Sequence, residues 1–369
     1  MLTDFNFNMI TEPLLSWFKQ NARVLPWREE PTPYRVWVSE IMLQQTRVEA
    51  VKPYFERFMK ALPDVKELAE CEEERLLKLW EGLGYYNRVR NMQTAARTVM
   101  EKYEGILPAD FEALLGLKGI GSYTAGAVAS IAYGIPVPAV DGNVLRVITR
   151  VSADTSDIMK QSVKTEIEKI LLGIIPCDKA GAFNQALMEL GATVCVPNGE
   201  PLCEKCPWQK FCRARLEGRI GEIPVKTKQK ARKIEKKTIF VIRQQNSIIL
   251  RKRPEKGLLA GMYEFPNTEG NLPEGEALAW IKAQKLSPLR IQSLEPAKHI
   301  FSHVEWHMTG YVVWVDELEE DKSGMLYVDV EEARQKYPIP AAFSAYVKYM
   351  NIAMAVEEKK SIAKSGKNK

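Results

Sequence analysis

Glu40 interrupts an apolar run, Trp37-Val38-Ser39-Glu40-Ile41-Met42. Burial beside Ile41 and Met42 would disfavour its charged form and raise its pKa, leaving a proton to donate near neutral pH. A solvated glutamate on a helix face fits the same pattern. A second carboxylate, Asp141, stands in Val140-Asp141-Gly142-Asn143-Val144, downstream of Leu117-Lys118-Gly119-Ile120-Gly121-Ser122-Tyr123-Thr124. Gly119 and Gly121 permit a turn so tight that backbone N–H groups can close on a phosphate at a helix N-terminus. Ordinary turns supply G-x-G often. The informative unit is that hairpin together with Asp141 and the cysteines further on.

Cys195, Cys203, Cys206 and Cys212 follow C-x7-C-x2-C-x5-C. Four thiolates this close can converge on one tetrahedral or cubane centre. Zinc sites more often use two C-x2-4-C knuckles, and here Cys203 and Cys206 alone form one. Cys71 and Cys177 lie outside the pattern and read as packing residues.

Helical periodicity at 11–20, 34–44, 73–81, 87–103, 123–132, 143–151 and 180–194 must position these groups. The run 225–237 is basic, with little that could be buried, and reads as an exposed linker or a strap for phosphates. Beyond it the pattern changes to strands at 238–243, 248–253, 263–265 and 306–315, with helices near 276–285 and 342–355. The tail 356–369 is Lys-rich and polar, and is expected to be disordered.

A chain of 369 residues is long for one core, so two domains are expected. A net charge of +5 permits a nucleic-acid partner without demanding one. No basic region leads into a long apolar stretch at the N-terminus, and no apolar run approaches the length of a membrane span. A cytoplasmic protein with no membrane partner is expected, its cysteines suiting a metal site better than disulfides.

Hairpin, aspartate and cysteines together resemble the helix-hairpin-helix superfamily of DNA glycosylases. Leu25-Pro26-Trp27-Arg28, Gly82-Leu83-Gly84-Tyr85-Tyr86 and Gly257-Leu258-Leu259-Ala260-Gly261-Met262-Tyr263-Glu264-Phe265-Pro266 extend the resemblance, across essentially the whole chain, to the MutY-type adenine glycosylases. It implies an N-terminal all-α helix-hairpin-helix glycosylase fold with an iron–sulfur cluster loop, plus a C-terminal α+β Nudix-like domain. The implied boundaries are 1–222 for the helical catalytic domain, a six-helix barrel with a [4Fe–4S] module, and 223–237 for a basic linker. Residues 238–355 would form the 8-oxoguanine recognition domain, followed by the tail.

The resemblance implies a monomeric bacterial enzyme of base-excision repair, associated with the nucleoid when acting. Its partner is duplex DNA carrying A:8-oxoguanine or A:G mispairs. Glu40 would protonate N7 of adenine, Asp141 would stabilise or briefly trap the oxocarbenium-like sugar, and Asn143 would fix Asp141. Endonuclease III-like relatives carry a lysine nucleophile at the hairpin position occupied here by Tyr123. Tyrosine forms no Schiff base, so base removal without strand cleavage is expected over the alternative, a bifunctional glycosylase/lyase for oxidised pyrimidines.

Gln45 and Tyr85 match positions that insert into the base stack, and Arg28 and Gln185 match positions around the extruded adenine, some relatives having Glu at the latter. Gly119 and Gly121 match the DNA-gripping hairpin. Phe301, Ser302 and His303 match the loop that inspects 8-oxoguanine. The four cysteines match the [4Fe–4S] ligands, although the first gap holds seven residues where six are usual. The acidic R-E-x-x-E-E helix of magnesium-dependent Nudix hydrolases is missing, so no hydrolysis is expected in the second domain.

Overall fold

Apolar side chains at three- and four-residue intervals commit the first part of the chain to helices. The computed structural model describes residues 2–227, 231–316 and 324–351. The chain separates into two units, Met1–Gln229 and Lys230–Lys369. In the first, the helices that matter for the site are α1 (Thr11–Asn21), α2 (Pro33–Leu43), α3 (Asn87–Lys102), α4 (Phe111–Leu115), α5 (Ser122–Tyr133), α6 (Gly142–Ser152) and α7 (Ala180–Thr193). All but α4 coincide with a periodic segment. Val48–Ala61 is also helical and escaped that reading. Its buried residues are Val51, Phe55 and Phe58, and Pro53 between them, inside the helix and past its first turn, reads as a stop.

Local chemistry sets the ends that carry function. Thr32 accepts a hydrogen bond from the Arg35 N–H ahead of Pro33, which starts α2. Asp141 caps α6 in the same way. One core cluster joins α1, α6 and α7 to Gln161–Ile174 and to Trp208 of the cysteine loop. Gly126 of α5 lies against the backbone before Asp141, where an added Cβ would stand 2.2 Å from the Pro138 carbonyl oxygen.

The second unit is built on a seven-stranded mixed sheet of order β3-β2-β1-β6-β5, with β4 beside β1 and β7 beside β2. The strands are β1 (Lys233–Gln244), β2 (Ser247–Lys252), β3 (Tyr263–Glu264), β4 (Asn267–Glu269), β5 (Pro288–Ile300), β6 (Val304–Val315) and β7 (Met325–Asp329). β1 and β6 run parallel, from Lys233 opposite Val304 to Arg243 opposite Trp314. Alternate β1 residues feed two cores. Ile239 and Val241 face Phe343 and Tyr346, while Phe240 and Ile242 face α8 (Glu274–Ala283) through Ala277 and Ile281. Burial on both faces explains why 238–243 reads as a nearly continuous apolar run.

Two expectations change. The segment 223–237 is not a linker throughout, because Ile223 is buried and its carbonyl accepts from Arg150 Nε at 2.8 Å. At its other end, Lys233 to Lys237 pair with β6 as strand, since strand pairing leaves lysine side chains free to reach solvent. The helix expected over 342–355 is, as far as Asn351, an α turn between two 3-10 turns. The tail 356–369 lies outside the described residues.

Candidate active site and cysteine loop

α2 delivers Glu40 into the interior, where 6% of it is exposed. Burial lifts its pKa to about 7, against the pull of a hydrogen bond from Tyr123 and with a push from the Asp141 charge. The solvated alternative is therefore set aside. Tyr123, in the first turn of α5, donates its hydroxyl to Glu40 and lies 3.2 Å from Met188 Sδ on α7.

Asp141 reaches the same locus from the cap of α6. Its Oδ1 accepts from Val144 N at 2.8 Å and its Oδ2 from Asn143 Nδ2 at 2.7 Å. Burial raises its pKa, and these donors oppose the shift by favouring the anion. Asn143 is held in turn by Arg146 Nη2 at 2.8 Å, and the same guanidinium donates to the carbonyls of Gly191 and Cys195. Arg146 was not singled out from sequence. Its i+3 spacing from Asn143 on a capped helix was the available signal.

Arg28 is bound by Glu189, a second residue the sequence reading missed. Glu189 is 1% exposed, takes Arg23 through both oxygens and accepts from Arg28 Nη2 at 2.9 Å. Burial pushes Glu189 up, but the arginines outweigh it and hold the carboxyl below its ordinary pKa. Gln185 lies half-buried one turn earlier on α7.

Of the hairpin glycines, Gly119 is the constrained one. Its φ is +79°, and a Cβ would meet Asn91 Cβ at 2.6 Å. Gly121 caps α5 in extended conformation with open space beside it and no side-chain cap, so the first-turn N–H groups can receive an anion. Gln45 and Tyr85 are both exposed, and both have left-handed backbone, with φ of 60° and 48°. Tyr85 is therefore no core residue, unlike Tyr86, which is 4% exposed.

The four cysteines line one small cavity with Arg150 and Arg215. Among the described residues no three His, Cys, Asp or Glu side chains close on a single-ion geometry. Burial pushes Cys206 up to about 12, so its thiolate needs a cationic centre, while Arg150 Nη1 donates to Cys195 Sγ at 3.4 Å. The donor set fits an iron–sulfur cluster.

In the second unit, Phe301, Ser302 and His303 form the tight connection from β5 to β6, closed by Phe301 N donating to Val304 O at 2.9 Å. Ser302 and His303 are exposed. The Phe301 ring is propped edge-on by His299 and Trp306, with centroids at 4.6 and 4.8 Å.

No helix among the described residues is long and apolar enough to cross a membrane. Residues 38–172 match the HhH-GPD superfamily base excision DNA repair proteins, and 238–349 match the NUDIX domain. The chain is similar to the adenine DNA glycosylase of Buchnera aphidicola subsp. Acyrthosiphon pisum (strain APS), at 32% identity over 86% of this chain and 89% of that one. It is 36% identical to the adenine DNA glycosylase of Mus musculus, over 82% of this chain and 70% of that one. A trapped endonuclease III–DNA covalent intermediate matches 58% of this chain and 99% of its own, at 27% identity and a TM-score of 0.50.

Proposed function

The chain belongs to the adenine DNA glycosylase family, a group of base-excision repair enzymes, and we propose that it removes adenine mispaired with 8-oxoguanine or guanine from duplex DNA without cutting the strand. The observation that carries this reading is the pair of carboxylates, buried Glu40 bearing a proton to about pH 7 and half-buried Asp141 held by donors from Val144 and Asn143 that favour its anion. The hairpin amides grip the backbone while the target nucleotide leaves the stack. Glu40 gives its proton to adenine N7. The N9–C1′ electron pair then departs with the base, and Asp141 stabilises the cationic sugar until water adds at C1′ and loses its proton. Tyr123 has no amine with which to form a Schiff base, so the reaction ends at an intact abasic strand.

Arg28 and Gln185 line the base pocket, and Gln45 with Tyr85 fills the vacated stack. Phe301, Ser302 and His303 read the opposite base, since 8-oxoguanine presents an N7–H donor where guanine has an acceptor. Cys195, Cys203, Cys206 and Cys212 hold a [4Fe–4S] cluster. When bound there, the group would crosslink the loop through these thiolates, and Arg146 holds the carbonyl of one of them, Cys195. The enzyme acts as a monomer.

The test uses duplexes carrying A opposite 8-oxoguanine, A opposite G, or an oxidised pyrimidine, each with and without alkali. Scission of the adenine strand only after alkali is expected. Scission before alkali, or tight binding without base loss, would sink the reading.

A further inference from the structure

Arg88, near the start of α3, is committed to the backbone of two separate segments, the C-terminal end of α2 and the turn that precedes α3. Its Nη1 donates to the carbonyls of Ile41 at 2.7 Å and Gln44 at 2.5 Å. Its Nη2 donates to those of Leu83 at 3.1 Å and Gly84 at 3.2 Å. Each segment then presents an exposed side chain on the very next residue, Gln45 after Gln44 and Tyr85 after Gly84. The guanidinium also lies over the Tyr85 ring, 5.3 Å from its centroid.

Both presenting residues have positive φ, a conformation unusual for glutamine and more so for tyrosine. Such backbone persists only where the surroundings over-determine it. Four hydrogen bonds from one planar fork supply that constraint. Lysine, with a single nitrogen on a flexible stem, could not span the same acceptors. Burial lowers the Arg88 pKa to about 10, which still leaves it cationic at neutral pH.

We infer that Arg88 is a positioning residue that locks the loops of Gln45 and Tyr85 into one rigid wedge, so that both side chains enter the base stack together. This rests on the proposed excision reading and deepens it. Each loop alone would have to be ordered when DNA arrives. Joined through Arg88, the two meet the duplex already arranged.

The experiment compares the full chain with Arg88→Lys on two duplexes, using single-turnover excision and the fluorescence of 2-aminopurine beside the target adenine. One duplex carries a paired A:8-oxoguanine. The other holds the same mispair inside a short unpaired bubble, where little unstacking remains to be done. Arg88→Lys should lose on the order of ten- to a hundredfold on the paired duplex, with a weaker unstacking signal, and less than about threefold on the bubble. Equal losses on both, or no loss on the paired duplex, overturn the inference.

A double-mutant cycle on Gln45→Ala and Tyr85→Ala, with Arg88 intact, covers the case in which Arg88→Lys does not fold. The two losses should be strongly non-additive, and simple additivity counts against a single unit. If the unaltered enzyme releases no adenine, the excision reading itself fails. If Gln45→Ala and Tyr85→Ala weaken unstacking while Arg88→Lys does not, the role of Arg88 fails alone.

Discussion

The Tyr123 hydroxyl and the Glu40 carboxyl meet in one hydrogen bond that joins α5 to α2. The bond works against burial. Burial lifts the Glu40 pKa to about 7 and the tyrosine draws it back. Excision needs protonated Glu40, so the rate should fall as pH rises through about 7. In Tyr123→Phe the restraint is gone, the pKa rises further, and the falling limb should move to higher pH. A single-turnover pH profile of both proteins decides it. An unmoved limb removes Tyr123 from control of the acid.

Glu40→Gln should cost about 10²–10⁴ in excision rate. It should also stabilise the fold at alkaline pH. A carboxyl with a raised folded-state pKa binds more protons folded than unfolded, so its contribution falls from the unfolded value near 4.5 until pH passes about 7. Above that, the glutamine variant should gain up to about 3 kcal/mol. Thermal unfolding at pH 8 that shows a less stable variant contradicts the burial argument.

Tyr123→Lys should convert part of the turnover to a Schiff-base route. Borohydride should trap a protein–DNA adduct with this variant and none with the unaltered chain. A stoichiometric, turnover-competent adduct with the unaltered chain defeats the monofunctional reading.

Asp141→Asn should bind the mispair and fail to release adenine, with a loss on the order of 10²–10³ or more. Arg146→Ala removes the brace on Asn143 and on the Cys195 carbonyl together. Iron content and excision rate should therefore decline together in that variant. Full activity with normal iron would show the chain of hydrogen bonds to be incidental.

Ser302→Ala should narrow the preference for A:8-oxoguanine over A:G by roughly tenfold, the scale of one hydrogen bond. The measured quantity is the ratio of excision rates on the two duplexes. A variant with an unchanged ratio excludes the hydroxyl from reading the damaged base.

The helices around the site were legible as apolar-rich runs between turn signals, although α2, α5 and α6 are buried on nearly every face, and Asp141 and Tyr123 were legible because a hairpin and a cap have short local signatures. Glu40 was ambiguous alone, since one carboxylate in an apolar run looks the same whether it faces the core or water. Glu189 and Arg88 were illegible for a different reason. Their meaning lies in partners far along the chain: Glu189 meets Arg23 and Arg28, and Arg88 meets the carbonyl of Ile41. Strand β5 was missed because few of its residues are buried, so no apolar alternation marks it.

Gly126 sets a distance that no side chain mediates. The helix carrying Tyr123 and the segment leading to Asp141 touch backbone to backbone there. A gauge made of main chain cannot be retuned by rotamer changes or by drift at neighbouring positions. Even alanine would thrust a methyl carbon into the Pro138 oxygen and prise the hairpin helix from the approach to Asp141. The interval between the hairpin helix and Asp141 is thereby fixed.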